Sequence, residues 1–317
     1  MVENLIIFII SLGVLLLAAK YFTESAERIG HALKMSPLMI GVVIVALGTS
    51  MPELVSAILA ASKGNTEIIA GNVLGANISN IFLILGLTTL VAKKTIELGE
   101  EYIFIDLHFM LGSAFLLVFF MWDGMLVFWE GILLIAGFLI YQLHLFQSDK
   151  PKEMPVMTDE AEIKAARKKG ITKEAIIILI SSVAIYFGAE YVIHSIVGLA
   201  EILEVDEGII SITALSLGTT LPELFVSITA TRAGKPQIAV GNILGSCIFN
   251  AFAVSGIGAI IAPITVPESL RTTALVFLII ASLFFYLLSQ DKKISKWEGL
   301  LFILFYVVFL FKLLNVI

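Results

Sequence analysis

Two glutamates interrupt stretches of this chain that are otherwise apolar enough to lie in lipid. Glu53 closes the run Gly48-Thr49-Ser50-Met51-Pro52-Glu53, and Glu223 closes Gly218-Thr219-Thr220-Leu221-Pro222-Glu223. A carboxylate at mid-membrane costs roughly 2.5–3.5 kcal/mol on the insertion scale, so it is by default a functional group. Pro52 has no amide hydrogen and its ring crowds the carbonyl of Gly48, while Pro222 does the same to Gly218. Each helix should therefore kink or open just ahead of its glutamate and free carbonyl oxygens. Unpaired backbone at that depth is tolerated where it lines a cavity or meets an ion. The hydroxyls of Thr49, Ser50, Thr219 and Thr220 place further oxygen within the same turn.

Carboxylate, hydroxyl and carbonyl oxygens together make a hard-cation environment. Calcium takes about 6–8 oxygen ligands at flexible geometry, and two glutamates offset its two charges. Softer metals favour His or Cys ligands. The four histidines (His31, His108, His144 and His194) lack ligand spacing, and Cys247 is the only cysteine, which also excludes a disulfide framework. Gly71-Asn72-Val73-Leu74-Gly75 and Gly241-Asn242-Ile243-Leu244-Gly245 follow the two acidic motifs. Their small-xxx-small spacing lets membrane helices approach closely, which would bring Asn72, Asn80, Asn242, Asn250 and Ser246 towards the glutamates. Asn80 and Asn250 read equally well as ion ligands and as hydrogen bonds between helices. Asp106, Glu130, Glu190 and Glu298 read as structural charges near helix ends. Glu201, Glu204, Asp206 and Glu207 form an acidic cluster that suits either a cation-concentrating field or a solvated loop.

The elements that must position these groups are membrane helices. Of 317 residues, 59% are hydrophobic and 15% charged, against about 25% charged in soluble domains, and the mean hydropathy is +1.01. The start of the chain does not read as a signal peptide, because its early charge is Glu3 and its apolar run is too long. Apolar stretches of spanning length predict ten helices, at about residues 4–22, 37–61, 68–92, 102–122, 125–147, 174–195, 208–231, 237–262, 271–289 and 297–316. With both termini outside, 17 of the 20 basic residues fall in cytoplasmic connections, leaving Lys63, Arg271 and Lys312 on the other face. The polar stretch 148–173 reads as a cytoplasmic linker between a first five-helix unit, 1–147, and a second, 174–317.

The two units repeat. Residues 41–86 and 211–256 align without gaps at an offset of 170, with 18 identities in 46 positions, and Asn80 pairs with Asn250. Trp129-Glu130-Gly131 and Trp297-Glu298-Gly299 echo each other at the last helix of each unit. Five spans separate equivalent positions, so the second copy enters the membrane in the opposite sense. The expected fold is an all-α polytopic membrane protein of ten transmembrane helices in two inverted-topology repeats, whose substrate site lies at mid-membrane between the repeats.

At the two acidic motifs and the Gly-Asn-x-x-Gly segments after them, the sequence resembles the sodium/calcium exchanger branch of the cation/calcium exchanger superfamily. Its linker position and two sets of five helices extend the likeness over the whole chain. The resemblance implies a cell-membrane antiporter that exchanges calcium for sodium by alternating access, working as a monomer and without a cofactor. It implies Glu53 and Glu223 as shared carboxylates, with Thr49 and Thr219 completing a calcium site. It further implies flanking sodium sites at Ser50, Thr220 and Ser246 with the Ala46 and Ser216 carbonyls, Asn80 and Asn250 at the centre, and the first and sixth helices as a sliding gate. Ala76 stands where its repeat partner is Ser246 and the family often has serine, which weakens one sodium site. Asn250 replaces an aspartate found in potassium-dependent members, and Gly75 and Gly245 replace a glutamate found in proton/calcium exchangers.

Three other readings follow from the same residues. Two carboxylates allow one calcium to be exchanged for two protons. A cation channel could use the same oxygens, although broken helices in inverted repeats favour a transporter. An intramembrane aspartyl protease would want its carboxylates in a water-filled cleft. Neither an enzyme nor a nucleic-acid partner is expected.

Overall fold

A computed structural model describes residues 2–98, 106–148, 160–202 and 219–313. Among these, the chain is helical apart from short turns and four two-residue strands. The helices are α1 (Val2–Ala32), α2 (Pro37–Thr49), α3 (Met51–Ser62), α4 (Thr66–Val91), α5 (Asp106–Met121), α6 (Phe128–Ser148), α7 (Glu160–Ile202), α8 (Leu221–Arg232), α9 (Pro236–Ile261), α10 (Leu270–Leu288) and α11 (Lys296–Leu313). Six are long and apolar enough to cross a membrane, and the bent pair α2–α3 makes a seventh. The protein is an all-α, multi-pass membrane protein.

Burial sorts the helices into inner and outer. The apolar windows of α4 and α9 are 78% and 89% buried, against 28% for α1 and for α7. On the outer helices, Ile9, Ile10 and Leu17 of α1 and Leu179, Ile180 and Phe187 of α7 are exposed, as lipid-facing residues must be. The inner pair carries the polar residues. Asn72, Asn77 and Asn80 on α4, with Asn242, Ser246 and Asn250 on α9, are all buried. A polar group is tolerated there because protein, and not hydrocarbon, surrounds it.

The expected break appears as an actual one. Helix α2 ends at Thr49, Ser50 leaves the helical region at φ −94° and ψ 6°, and α3 begins at Met51 with Pro52 in its first turn, bent by 41°. One proline thus ends a helix and starts the next, since its missing N–H costs nothing in a first turn. Thr220 has nearly the same geometry, φ −94° and ψ −2°, before α8. Helices α4 and α9 widen into π-helical turns at Asn80–Ile84 and Asn250–Val254, equivalent positions of the repeat. Such turns insert an extra residue and often mark functional sites.

Two small ribbons tie the halves together. Strand β1 (Ile96–Glu97) pairs antiparallel with β4 (Lys293–Ile294), and β2 (Met125–Leu126) with β3 (Ile264–Thr265). Each half lends one strand to each ribbon. Core side chains fall into two clusters. The larger centres on α4, α5, α9, α10 and α11. The smaller joins Leu15, Ala18, Ala19, Phe22 and Ala26 of α1 to Ile185, Ala189 and Val192 of α7, and both to Leu221 and Val226 of α8.

Several expectations shift in detail. The first helix runs on to Ala32, because Phe22 and Ala26 pack in the smaller core cluster and Thr23 and Ser25 between them are also buried. Helix α7 starts at Glu160, so the second part of the 148–173 linker is helix. Asp106 is buried rather than interfacial and accepts a hydrogen bond from Tyr141 Oη at 2.7 Å. Glu130 and Glu298 have a local task. Their carboxylates accept the Val127 and Ser295 amides at 2.8 and 2.5 Å, capping α6 and α11. Residues 203–218, with most of the acidic cluster, lie outside the described residues.

Candidate ion site

The site is assembled from the proline-containing first turns of α3 and α8 and from the buried helices α4 and α9. Glu53 opens α3 and Glu223 opens α8, each in a first turn and each 1% exposed. The halves are interlocked here. Ser50 Oγ, from the first motif, donates to Glu223 Oε1 of the second at 3.0 Å and lies 2.9 Å from Ser246 Oγ.

A pair of crossed clasps surrounds this contact. Thr49 Oγ1 is 3.0 Å from Asn242 Oδ1, and Thr219 Oγ1 is 2.7 Å from Asn72 Oδ1. Each threonine therefore reaches the asparagine of the opposite repeat. Asn242 also donates through Nδ2 to Ser227 Oγ at 3.0 Å and to the Glu223 carbonyl at 3.4 Å. Asn72, Asn242 and Ser227 are positioning residues that the acidic motifs alone do not reveal. The doubled Gly-Asn was the available signal, since a side chain repeated beside a packing glycine faces the same helix.

Close helix approach makes the clasps possible. A Cβ at Gly245 would stand 2.6 Å from the Val42 carbonyl oxygen and from Ala46 Cβ, and one at Gly241 would collide with the Leu38 carbonyl. These glycines let α9 lie backbone to backbone against α2, as their spacing predicts. A Cβ at Gly71 would meet the Leu270 side chain at 3.7 Å, and residues 208–218 lie outside the described residues. Phe22 of α1 covers the break from the other side, so near Gly48 that a Cβ there would come within 2.5 Å of its ring.

What remains unpaired is the most informative feature. Both carboxylate oxygens of Glu53, Oε2 of Glu223, and the side-chain amides of Asn80 and Asn250 are fully buried and have no hydrogen-bond partner among the described residues. A buried polar group left unsatisfied costs about 1–3 kcal/mol, more when charged. Native proteins rarely accumulate such groups without a ligand. These orphans lie on α3, α4, α8 and α9, in the segments the repeat predicted. The Ala46 carbonyl accepts the Ser50 amide at 2.9 Å and lies 3.3 Å from Thr49 Oγ1. Ser216 lies outside the described residues. Thr49, Ser50, Thr219, Thr220 and Ser246 all stand at or beside the breaks, whereas Cys247 turns to the Asn77 carbonyl at 3.9 Å.

At the cytoplasmic ends expected from charge, Arg28 of α1 reaches Glu174 of α7 at 3.2 Å, and Lys235 of the α8–α9 turn pairs with Glu27 of α1. Helices α1 and α7 thus form a joined pair, which meets the core through the smaller cluster and the Lys235–Glu27 ion pair.

Comparison with known proteins agrees with this architecture. The family described as sodium/calcium exchanger protein matches residues 3–147 and 173–314. The sodium/calcium exchanger MaX1 of Methanosarcina acetivorans is 31% identical over 97% of each chain. A putative antiporter, CaxA, of Alkalimonas amylolytica is 30% identical over 95% of this chain and 96% of its own. The solved sodium-calcium exchanger NCX_Mj, soaked with sodium and strontium, superposes over 97% of each chain with a TM-score of 0.82 at 24% identity, a likeness of fold. With most of its length matched by one family, this chain belongs to the sodium/calcium exchanger proteins.

Proposed function

We propose that the protein is a secondary antiporter that exchanges calcium for sodium, binding both at the site between Glu53 and Glu223. The observation that carries this reading is the set of orphaned buried oxygens on both proline-broken helices. They match a hard, oxygen-seeking cation in a place where water cannot satisfy them. The relative MaX1, named a sodium/calcium exchanger and matched over 97% of its length, supports the choice of ions. In the proposed site Glu53, Glu223, Thr49 and Thr219 hold calcium. Ser50, Thr220 and Ser246, with the Ala46 and Ser216 carbonyls, hold sodium, and Asn80 and Asn250 lie at the centre.

The division of the core into two clusters supports alternating access as the mode of exchange. The α1–α7 pair shares an apolar, alanine-rich face with the core, a surface suited to sliding. The ten-span, inverted arrangement in the cell membrane, with five helices in 1–147 and five in 174–317 and both termini outside, accounts for the ribbons. It puts β1 with β4 on the cytoplasmic face and β2 with β3 on the outer face, as they pair. The protein acts as a monomer in this reading. Proton-coupled exchange is the second reading, since two carboxylates can carry two protons in place of calcium.

The deciding experiment is calcium uptake into proteoliposomes under an imposed sodium gradient at fixed pH. Uptake should require the sodium gradient. Uptake that ignores sodium and follows a pH gradient would replace the first reading by the second.

A further inference from the structure

We infer that Arg271 holds the phosphate of a phospholipid at the membrane surface, in a site formed by the turn between α5 and α6, the β2–β3 ribbon and the start of α10. None of these residues belongs to the ion site. Arg271 stands in the first turn of α10 and is half-buried, and an arginine stays charged at any physiological pH. Its Nε is buried without a hydrogen-bond partner among the described residues. No acid pairs with it there, although Glu268 precedes it by one turn and Asp123 adjoins the turn it packs on. Asp123 instead accepts the Met125 amide at 3.1 Å. A partly buried cation without a counter-ion is costly, and a bound anion removes that cost.

The same place is shaped for an apolar ligand. Gly124 turns the chain at φ 98°, and a Cβ there would come within 3.2 Å of Arg271 Nη1. The guanidinium therefore lies on bare peptide, which the ribbon fixes by a bond from the Val266 amide to the Gly124 carbonyl at 2.9 Å. Around this turn Phe119, Trp122, Met125, Phe128 and Trp129 are exposed, the two tryptophans by 60% and 72%. Exposed tryptophans at helix ends mark the headgroup level of a bilayer. The ligand that fits offers an anion and an acyl chain together, and a phospholipid has both. Its phosphate oxygens suit the planar fork of an arginine. The counterpart turn before Trp297, Asp291-Lys292-Lys293, makes the same bond from the Lys293 amide to Asp291 at 3.1 Å. That turn carries its own lysines, whereas the α5–α6 turn is apolar and borrows its cation from α10. In the proposed orientation Arg271 is one of three basic residues outside, and a lipid phosphate accounts for a charge that the topology rule disfavours.

The test is native mass spectrometry of the full chain in detergent, titrated with dioleoylphosphatidylglycerol, with dioleoylglycerol (the same chains without phosphate) and with inorganic phosphate. The tightest site of the wild type should prefer phosphatidylglycerol to dioleoylglycerol by at least about tenfold, the order of one charge-assisted hydrogen bond. Arg271→Gln should lose that preference. Arg232→Gln, which removes an exposed charge at the end of α8, should keep it. Equal losses in the two variants, or no loss in Arg271→Gln, overturn the site. Displacement of the lipid by millimolar inorganic phosphate would assign the arginine to a free anion and overturn the lipid. If Arg271→Gln does not fold, Arg271→Lys keeps the charge without the fork and should bind phosphatidylglycerol more weakly than the wild type. Unchanged binding by that variant, or equal binding of the two lipids by the wild type, also overturns the inference.

Discussion

The Glu223 corner and the Glu53 corner descend from one repeated motif, yet they are finished differently. At Glu223, one oxygen is held by Ser50, Ser246 stands behind that serine, and Asn242 ties the glutamate's own carbonyl to Ser227. At Glu53, neither oxygen is held, and Ala76 presents a methyl group where its counterpart presents a hydroxyl. Both corners keep the proline break and the threonine–asparagine clasp. The break and clasp are what any ion path through these helices needs. The hydroxyls are where the two corners of the proposed site differ. A duplicated fold can therefore keep its architecture symmetric while its ligand set drifts.

The largest effect should come from removing either charge. Glu53→Gln and Glu223→Gln should each lower sodium-driven calcium uptake by at least about 100-fold, since breaking a buried charge arrangement costs about 3–5 kcal/mol. A near-normal rate in one variant only would break the idea that both corners hold the same ion. Next, Ser246→Ala makes the Glu223 corner resemble the Glu53 corner. It should raise the sodium concentration that half-inhibits calcium uptake by about tenfold, the order of one lost hydrogen bond to a charged group, with a smaller change in calcium half-saturation. Equal changes for both ions would mean that the cradle serves calcium.

Smaller differences test the clasps. Asn242→Ala should destabilise the protein by about 1–3 kcal/mol, because it strands three partners, and Asn72→Ala should cost less. Thermal unfolding in detergent can be followed by dye labelling of Cys247, a buried and solitary thiol. The smallest effect belongs to the turn that follows each acidic helix. Lys235 pairs with Glu27, whereas the equivalent residue is the uncharged Asn65. Lys235→Ala should change stability by about 0–1 kcal/mol, as for other partly exposed ion pairs. A larger loss in the same unfolding assay would assign the α1–core contact more weight than the apolar cluster.

Much of this site was legible in the chain. Proline four residues after a glycine carbonyl has one local consequence in a helix, so the break at Ser50 followed from sequence. The offset of 170 paired Asn80 with Asn250, and the structure gives both the same π-helical turn. Other features had no local signal. Phe22 over Gly48, the joined α1–α7 pair and the burial of Asp106 against Tyr141 depend on residues distant in sequence. Glu130 and Glu298 read as structural charges near helix ends, and the structure supplies the particular task, capping α6 and α11.

The sequence by itself determined the elements and their chemistry: apolar spans, two breaks, two carboxylates and a serine without its twin. These are local facts of backbone sterics, hydrophobicity and composition, which no packing can alter. The tertiary structure alone decided which group meets which. Ser50 reaches the glutamate of the opposite motif, and each threonine clasps the asparagine of the opposite repeat, because glycines let α9 lie against α2 at backbone distance. Side-chain hydrogen bonds reach only about 3 Å, so partners 147 to 196 residues apart in sequence are fixed by helix packing and by nothing nearer.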